Sequence, residues 1–343
     1  MSLSKQIKEF ALDLGYSKVG FTTADDFTEF YDIITSREAH YDWYINGGAK
    51  PLKYAKIREN FPKAKSLIVL IWDYAKVSFP DNLLDKIGRI YLSRCYFTPE
   101  NRINGARPAL MKNFLSELGC EVYLHRFIPD RWAAARAGVT NFGKNTFAYA
   151  DGIGSFVIIS VLAIDRELEY DDPSLDCKCP AGCSKCIDAC PTGAISEPFN
   201  MNPYRCIAYN TFGYIPKGII PEDIRANIGT KIHGCDICQE VCPRNQAKLK
   251  QKMPQDPFLE MISEDFSLAK TLHLPDGYYE ARIKPIMYNY ITNLHLFQRN
   301  AAVAMGNTRD ESYIPELEIE MSNPDEMVRT HVVWALDRIG GRV

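Results

Sequence analysis

Cysteine spacing is the feature of this sequence that most clearly indicates chemistry. Nine of the eleven cysteines lie between residues 177 and 245. Two triplets follow the pattern C-x2-C-x3-C-P, the first ending at Cys190-Pro191 and the second at Cys242-Pro243. Written twice, this pattern is typical of proteins that bind two [4Fe–4S] clusters.

The two motifs also predict how the ligands are shared. Each cluster needs four thiolates, and in two-cluster ferredoxins the cysteine before proline ligates the other cluster. This rule gives a first cysteine set of Cys179, Cys183, Cys186 and Cys242. It gives a second cysteine set of Cys190, Cys206, Cys235 and Cys238. The first arm is C-x3-C-x2-C, one residue longer than the common form, so Cys177 is an alternative to Cys179.

Zinc sites and disulfides are the other common uses of clustered cysteines. Zinc ribbons use paired C-x2-C arms without the terminal C-P. Disulfide frameworks are typical of small secreted domains, whereas this chain has 343 residues. We therefore predict two [4Fe–4S] clusters in a reducing cytoplasm.

Composition and charge limit the partners. The formal net charge of −3 predicts no general attraction to nucleic acid, so an RNA site would need a local basic patch. The first ten residues predict an amphipathic helix rather than a signal peptide. The longest apolar run, residues 155–164, is shorter than the roughly 20 residues that cross a bilayer, so we expect no membrane partner.

The elements that must position the cysteines follow from hydrophobic periodicity. Strands are predicted at residues 18–22, 66–72, 120–127 and 155–164, and helices at 3–14 and 107–118. Helices alternating with strands favour an α/β or α+β domain over residues 1–170. A bacterial-ferredoxin-like two-cluster domain then covers 171–250, and a connector with a helical tail covers 251–343.

The tail shows weak internal similarity. Residues 299–306 resemble residues 329–336, and within them the pair Ala304-Met305 matches the pair Ala335-Leu336 at a step of 31 residues. Such a step predicts a short stack of HEAT-like helical hairpins, and an ordinary helical hairpin is the alternative.

About 170 residues precede the clusters, which is more than an electron carrier needs, so we expect them to feed a second redox centre. The segment from Asp130 to Thr146 is the most informative part of that domain. It predicts a short alanine-rich helix that ends at Gly138, followed by the turn G-K-N-T at residues 143–146. The turn is a candidate for presenting backbone amides to a polar ligand.

The order of these motifs resembles one known family. The motifs are A-A-x-A-G-x4-G-K-N-T, G-S, C-x2-C-I-D-A-C-P-T-G-A-I, R-C-I and G-C-D-x-C-Q-x-V-C-P-x-N, followed by the tail. Together they resemble epoxyqueuosine reductase, a family similar in its cofactors to reductive dehalogenases. The resemblance covers nearly the whole chain and is densest over 130–155 and 179–245.

The resemblance implies a cobalamin in the N-terminal domain, beside the two clusters. It implies reduction of epoxyqueuosine to queuosine in a tRNA anticodon, with the tail helping to grip the RNA. Arg131 matches the family's arginine beside the corrin ring. Ala148 and Ala150 match positions that contact the edge of the ring through their main chain.

The resemblance fails at the catalytic acid. Without gaps, the family's proton-donating aspartate falls on Leu124 and its glutamate on Asp130. His125 and Asp130 are the nearest titratable side chains, and opening an epoxide reductively requires an acid. We therefore name both as candidate proton donors, with a structural histidine and a helix-capping aspartate as the alternatives.

The sequence thus predicts an oxidoreductase that receives electrons from a flavodoxin- or ferredoxin-type donor. The first alternative is a reductase with the same cofactors and a different small substrate, as in dehalogenases, which the altered acid position favours. The second is a non-catalytic electron-transfer protein.

Overall fold

The computed structural model describes residues 1–47, 50–94, 103–124, 128–212, 218–287 and 293–342. Its strands are β1 Lys18–Thr23, β2 Ser66–Asp73, β3 Val122–Leu124, β4 Asn141–Phe142, β5 Ala148–Tyr149, β6 Val157–Ile164, β7 Ile195–Glu197 and β8 Asn200–Met201.

The α-helices are of uneven length, and many in the middle of the chain are single turns. They are α1 Leu3–Asp13, α2 Thr28–Ser36, α3 Glu38–Ile45, α4 Pro51–Ala55, α5 Ile57–Asn60, α6 Asp81–Leu84, α7 Arg89–Leu92, α8 Ile103–Glu117, α9 Asp130–Arg136, α10 Lys185–Asp188, α11 Ile207–Phe212, α12 Glu222–Arg225, α13 Ile237–Glu240, α14 Gln246–Leu249, α15 Pro257–Ile262, α16 Leu268–His273, α17 Lys284–Met287, α18 His295–Thr308, α19 Ile314–Ile319 and α20 Glu326–Ile339. Among the described residues, no helix is both long enough and apolar enough to cross a membrane.

A four-stranded sheet in the order β1-β2-β6-β3 forms the centre of the N-terminal region. The four predicted strands are confirmed within the described residues, although residues 125–127 of the third lie outside them. Every neighbouring pair in the sheet is antiparallel, so the α+β alternative is correct for this sheet and a parallel α/β sheet is not. Alternating helices and strands do not fix strand direction, because a helical connection can return the chain either way.

Helices cover both faces of this sheet. Ser2 caps α1, which buries Ile7 and Ala11 with Met111 of α8 against one face. On the other face α9 buries Ala133, Ala134 and Ala137 among side chains of β2 and β6. The end of α9 approaches β1 closely, since a Cβ atom on Gly20 would lie only 2.3 Å from the Ala137 carbonyl oxygen. Gly138, at φ +69°, then ends the helix as predicted.

The tail packs directly on the cysteine-rich region. Helices α18 and α20 contact each other so closely that a Cβ atom on Gly306 would lie 2.8 Å from the Ala335 Cα atom. Phe297 and Val332 of these helices share one hydrophobic core with Ile207, Ile232 and Tyr91. The predicted divisions at residues 170 and 250 and the HEAT-like repeat remain predictions. The shared core shows that the cysteine-rich loops are folded against the tail.

Candidate redox site

The first cysteine set surrounds a partly enclosed cavity with an empty volume of about 290 Å³. The lining residues come from three separate segments: Lys144, Asn145, Tyr149, Cys179, Pro180, Cys183, Lys185, Cys186, Cys242 and Pro243. Cys242 of the second motif thus joins three cysteines of the first, as the crossing rule requires. Cys177 is exposed and is not among the lining residues, although its thiol lies beside Cys179.

The second cysteine set is also enclosed by protein: its four side chains are half-buried, whereas Cys186 and Cys242 of the first set are buried. Burial raises the pKa of the Cys235 thiol to about 12, and the nearby Cys206 adds to this rise. Burial also raises the pKa of Cys238 well above its ordinary value, with contributions from Cys235, Cys206 and Cys190. The four thiols are therefore close neighbours, and a metal would have to displace their protons on binding.

Two short helices explain how each motif reaches the other. Helices α10 and α13 each hold the middle of one C-x2-C-x3-C-P motif, and they pack against each other. A proline disfavours helical backbone at the preceding residue, and Cys242 is accordingly extended, with φ −70° and ψ 124°. The chain leaves each helix at its last cysteine and points that side chain toward the other set.

Backbone amides donate to sulfur in both sets. The Lys144 amide lies 3.5 Å from Cys179 Sγ, and the Ala194 amide lies 3.2 Å from Cys190 Sγ. Such N–H···S bonds favour the thiolate form and tune the potential of an iron–sulfur cluster. Among the described residues, no three Cys, His, Asp or Glu side chains converge closely enough to hold a single metal ion.

A buried carboxylate lies within the second motif. Asp236 accepts hydrogen bonds from the Arg89 amide at 2.7 Å and from Arg89 Nη1 at 3.3 Å. Gln239 Nε2 donates to its other oxygen at 2.8 Å. Burial raises the pKa of Asp236 despite the Arg89 guanidinium. The second set therefore has a carboxyl group between two of its cysteines.

The G-K-N-T turn has a different role from the one its sequence suggested. It joins β4 to β5, and its amides bond within the protein: Gly143 to the Phe147 carbonyl at 2.9 Å, Thr146 to the Gly143 carbonyl at 2.9 Å and Lys144 to Cys179. The expected display of amides to a polar ligand is wrong for these three, because two bond within the β4–β5 hairpin and the third faces the cysteine loop.

A recess beside α9 holds two of the predicted site residues. Burial raises the pKa of the Asp130 carboxyl, and the Arg131 guanidinium opposes this rise. The Asp130 side chain is nevertheless exposed at the start of α9. Arg131 Nη1 donates to the Thr146 carbonyl at 2.8 Å.

Two tyrosines of α3 complete the recess. Burial raises the pKa of Tyr44, and its phenol interacts electrostatically with both Arg131 and Asp130. Burial also raises the pKa of Tyr41, and its phenol interacts electrostatically with Arg131 and with Cys206. Tyr41 therefore lies within electrostatic range of both Arg131 and Cys206, and its hydroxyl donates to the Met201 carbonyl at 2.8 Å. No spacing in the sequence had indicated these tyrosines, because α3 lies about 90 residues before α9.

The remaining predicted residues are only partly brought together. Ala148 is buried in β5 opposite Phe142, and the Ala150 amide is already bonded to the Gly154 carbonyl at 2.9 Å. Leu124 is 42% exposed at the end of β3, where the family's acid was expected. His125 lies outside the residues that the structure describes.

Comparisons with known proteins agree with this geometry. Residues 178–245 match the family described as "4Fe-4S double cluster binding domain". The chain is 29% identical over 360 residues to the epoxyqueuosine reductase of Bacillus subtilis (strain 168), covering 98% of this chain and 88% of that protein. It is 30% identical over 369 residues to that of Shigella dysenteriae serotype 1, covering 97% and 89%. A crystal structure of epoxyqueuosine reductase with an epoxyqueuosine-modified tRNA-Tyr stem loop superposes with a TM-score of 0.83 at 27% identity, covering 98% and 90%.

Proposed function

This chain belongs to the epoxyqueuosine reductase family, and on that premise we propose that it reduces epoxyqueuosine to queuosine in tRNA with two [4Fe–4S] clusters and a cobalamin. The observation that carries the proposal is the division of eight cysteines into two neighbouring groups of four. When bound, the clusters supply single electrons and the cobalamin supplies the reducing power at the substrate carbon.

The residues present fit both clusters. The first cysteine set lines a cavity with its four sulfur ligands and no other thiol. In the second set, Cys235, Cys206 and Cys190 all raise the pKa of Cys238, while Cys206 raises that of Cys235 and Cys190 that of Cys206, as expected for four groups near one another. We propose these two sets as the ligands, with Cys179 rather than Cys177 because Cys177 is exposed.

The side chains beside α9 would suit contact with a flat cofactor next to the second cluster. Arg131, Tyr41 and Tyr44 offer one cationic and two aromatic side chains there. Because Tyr41 also senses Cys206, a group bound in the recess would lie close to the second cysteine set. Ala148 and Ala150 remain proposed contacts through the main chain.

Asp130 is the described side chain best suited to donate the proton. Reductive opening of the epoxide leaves an alkoxide oxygen that must be protonated. Because burial raises the pKa of Asp130, its carboxyl holds a proton to a higher pH than an ordinary aspartate does. His125 remains the other proposed donor.

The tail offers fewer contacts for RNA phosphates than its composition suggests. Arg299 is fully buried, and Lys248 is paired with Asp73 at 2.7 Å. Lys250 and Lys252 are exposed in the segment after α14, and we propose them as phosphate contacts. Replacing both with alanine should weaken binding of a tRNA stem loop and make it less sensitive to salt.

The decisive experiment uses protein purified without oxygen and reconstituted with iron, sulfide and cobalamin. We expect about eight iron and eight sulfide per chain, a bound corrinoid spectrum, and conversion of epoxyqueuosine to queuosine in tRNA by a reduced electron donor. Protein that contains both clusters but binds no corrinoid would instead be an electron carrier. Deleting the gene and measuring queuosine in cellular tRNA tests the substrate independently.

A reductase of another small substrate is the second candidate. The exposed, apolar Leu124 favours it, since the family's acid was expected at this position. Corrinoid binding together with normal tRNA queuosine after gene deletion would support this candidate over the first.

We also propose where the electron donor binds. An open depression with an empty volume of about 1090 Å³ lies outside the first set. Lys185 and Pro243 line both this depression and the cavity of the first set. A flavodoxin- or ferredoxin-type donor placed there would contact two residues that also line the cavity of the first set.

A further inference from the structure

The G-K-N-T turn lies between the two cysteine-rich loops. On one side, Lys144 Nζ donates to the Cys183 carbonyl at 2.8 Å, and the Lys144 amide donates to Cys179 Sγ. On the other side, Asn145 Nδ2 donates to the Cys238 carbonyl at 3.3 Å. A single turn of the N-terminal region therefore contacts a loop from each proposed cluster.

Lys144 is held in a fixed position. The Phe199 amide donates to its carbonyl oxygen at 2.8 Å. Its neighbour Asn145 is 2% exposed and donates to the Tyr149 hydroxyl at 3.0 Å. On the other side, a Cβ atom on Gly143 would lie 2.3 Å from Tyr149 Cε2, so only glycine fits there. These contacts fix the backbone from which the lysine side chain reaches the cysteine loop.

The charged side chains that line the cavity of the first set are positive. Among the described residues that line its cavity, two are lysines and none is a carboxylate. The second set, by contrast, has the buried Asp236 between two of its cysteines. An iron–sulfur cluster gains negative charge when it is reduced, so a cation held beside it stabilises the reduced form.

We propose that Lys144 is a positioning residue whose fixed ammonium group and sulfur-directed amide raise the reduction potential of the cluster held by the first cysteine set. This inference rests on the proposed clusters and adds a determinant that the cysteine motifs do not contain. The step it affects is the transfer of one electron from the external donor to the oxidised cluster, with no bond made or broken in the protein.

The test is a redox titration of the reconstituted protein, followed by electron paramagnetic resonance. At the wild-type midpoint potential of the first cluster, we expect Lys144→Met to lower its ratio of reduced to oxidised form about tenfold, equivalent to about 59 mV for one electron. Lys144→Arg should retain most of the wild-type potential. As a control, Lys5→Met removes an exposed lysine of α1 that pairs with Glu9 at 3.9 Å, and should leave both potentials unchanged.

The iron content separates the possible failures. Wild-type protein well short of about eight iron would refute the proposed clusters themselves, whatever Lys144 does. Fully loaded Lys144→Met with an unchanged potential would overturn only the role of Lys144. If that variant loses iron, Lys144→Gln, which can still donate a hydrogen bond, decides the question. A fully loaded glutamine variant with a lowered potential supports the charge effect, and one that is unchanged or also loses iron overturns it.

Discussion

The two cysteine sets share a motif but differ in the charged groups beside them. The first lies at a partly open cavity lined by Lys144 and Lys185. The second lies where burial raises the pKa of three of its thiols, next to the carboxyl group of Asp236. Solvent and cations favour the reduced form of a cluster, whereas burial and a nearby carboxylate disfavour it.

This difference predicts the direction of electron transfer, from the first proposed cluster to the second. The first lies beside the surface depression where we place the electron donor. The second lies beside the recess, through Cys206 and Tyr41. The cluster expected to be the stronger reductant is therefore the one next to the proposed cobalamin, which needs strongly reducing electrons.

The largest expected effect comes from replacing the cysteine that each motif contributes to the cluster of the other motif. Cys242→Ser should remove the first cluster, although the residue belongs to the second motif, because its side chain lines the cavity of the first set. Cys190→Ser should remove the second. Iron content and electron paramagnetic resonance should each show one cluster left, and activity should be abolished.

Cys177→Ser is the matched control for these two variants, since Cys177 is exposed. It should retain about eight iron per chain. If it instead loses iron while Cys179→Ser does not, the assignment of Cys179 to the first set is wrong.

The next effect tests the recess rather than the clusters. Asp130→Asn should lower kcat on epoxyqueuosine tRNA by roughly 10²–10⁴-fold, because the amide cannot donate an acidic proton. Iron content and corrinoid binding should not change, since Asp130 is in neither cysteine set.

The pH dependence of activity tests whether Asp130 acts as the acid. A donor must be protonated, so activity should fall as the pH rises through the pKa of Asp130. Because burial raises that pKa, the fall should occur at a higher pH than for an ordinary aspartate. Asp130→Asn should lose this limb of the profile. If it keeps full activity while His125→Gln loses it, His125 is the proton donor.

A smaller effect tests the difference in charge between the surroundings of the two cysteine sets. Asp236→Asn removes the buried negative charge and should shift the potential of the second cluster to a more positive value. The Arg89 guanidinium already offsets part of this charge, so the shift should be smaller than that of Lys144→Met on the first cluster. Glu240→Gln, which removes the more exposed partner of Arg89, should shift the potential less. A change confined to the first cluster would contradict the proposed arrangement.

The smallest effect concerns the depression outside the first set. Lys185→Glu should slow reduction by a protein donor several-fold, since a charge change at an interface mainly alters the association rate. Reduction by dithionite, which needs no docking, should be nearly unaffected. Lys5→Glu on α1 is the control, because Lys5 is exposed outside both cysteine sets. Equal slowing with both reductants would place the effect in the cluster rather than in docking.

The sequence by itself determined the parts that depend on local rules. Ligand spacing and the proline after the last cysteine of each motif predicted a division of eight cysteines into two sets, because these constraints act within a few residues. Glycines at positive φ likewise ended α1 at Gly15 and α9 near Gly138, as predicted. Strand positions were also predicted, since a buried strand needs a continuous apolar run.

Only the tertiary structure decided which distant groups meet. Strand direction in the sheet, the recess between α3 and α9, and the contacts of Lys144 all join segments far apart in the chain. Arg299 shows the same limit: in the sequence it is one more basic residue of the tail. In the fold it is fully buried and donates to the Gly218 carbonyl at 2.6 Å and the Asn210 carbonyl at 2.7 Å. Burial lowers its pKa to about 9. Local sequence cannot encode such partners, because burial and long-range hydrogen bonds exist only once the elements have packed.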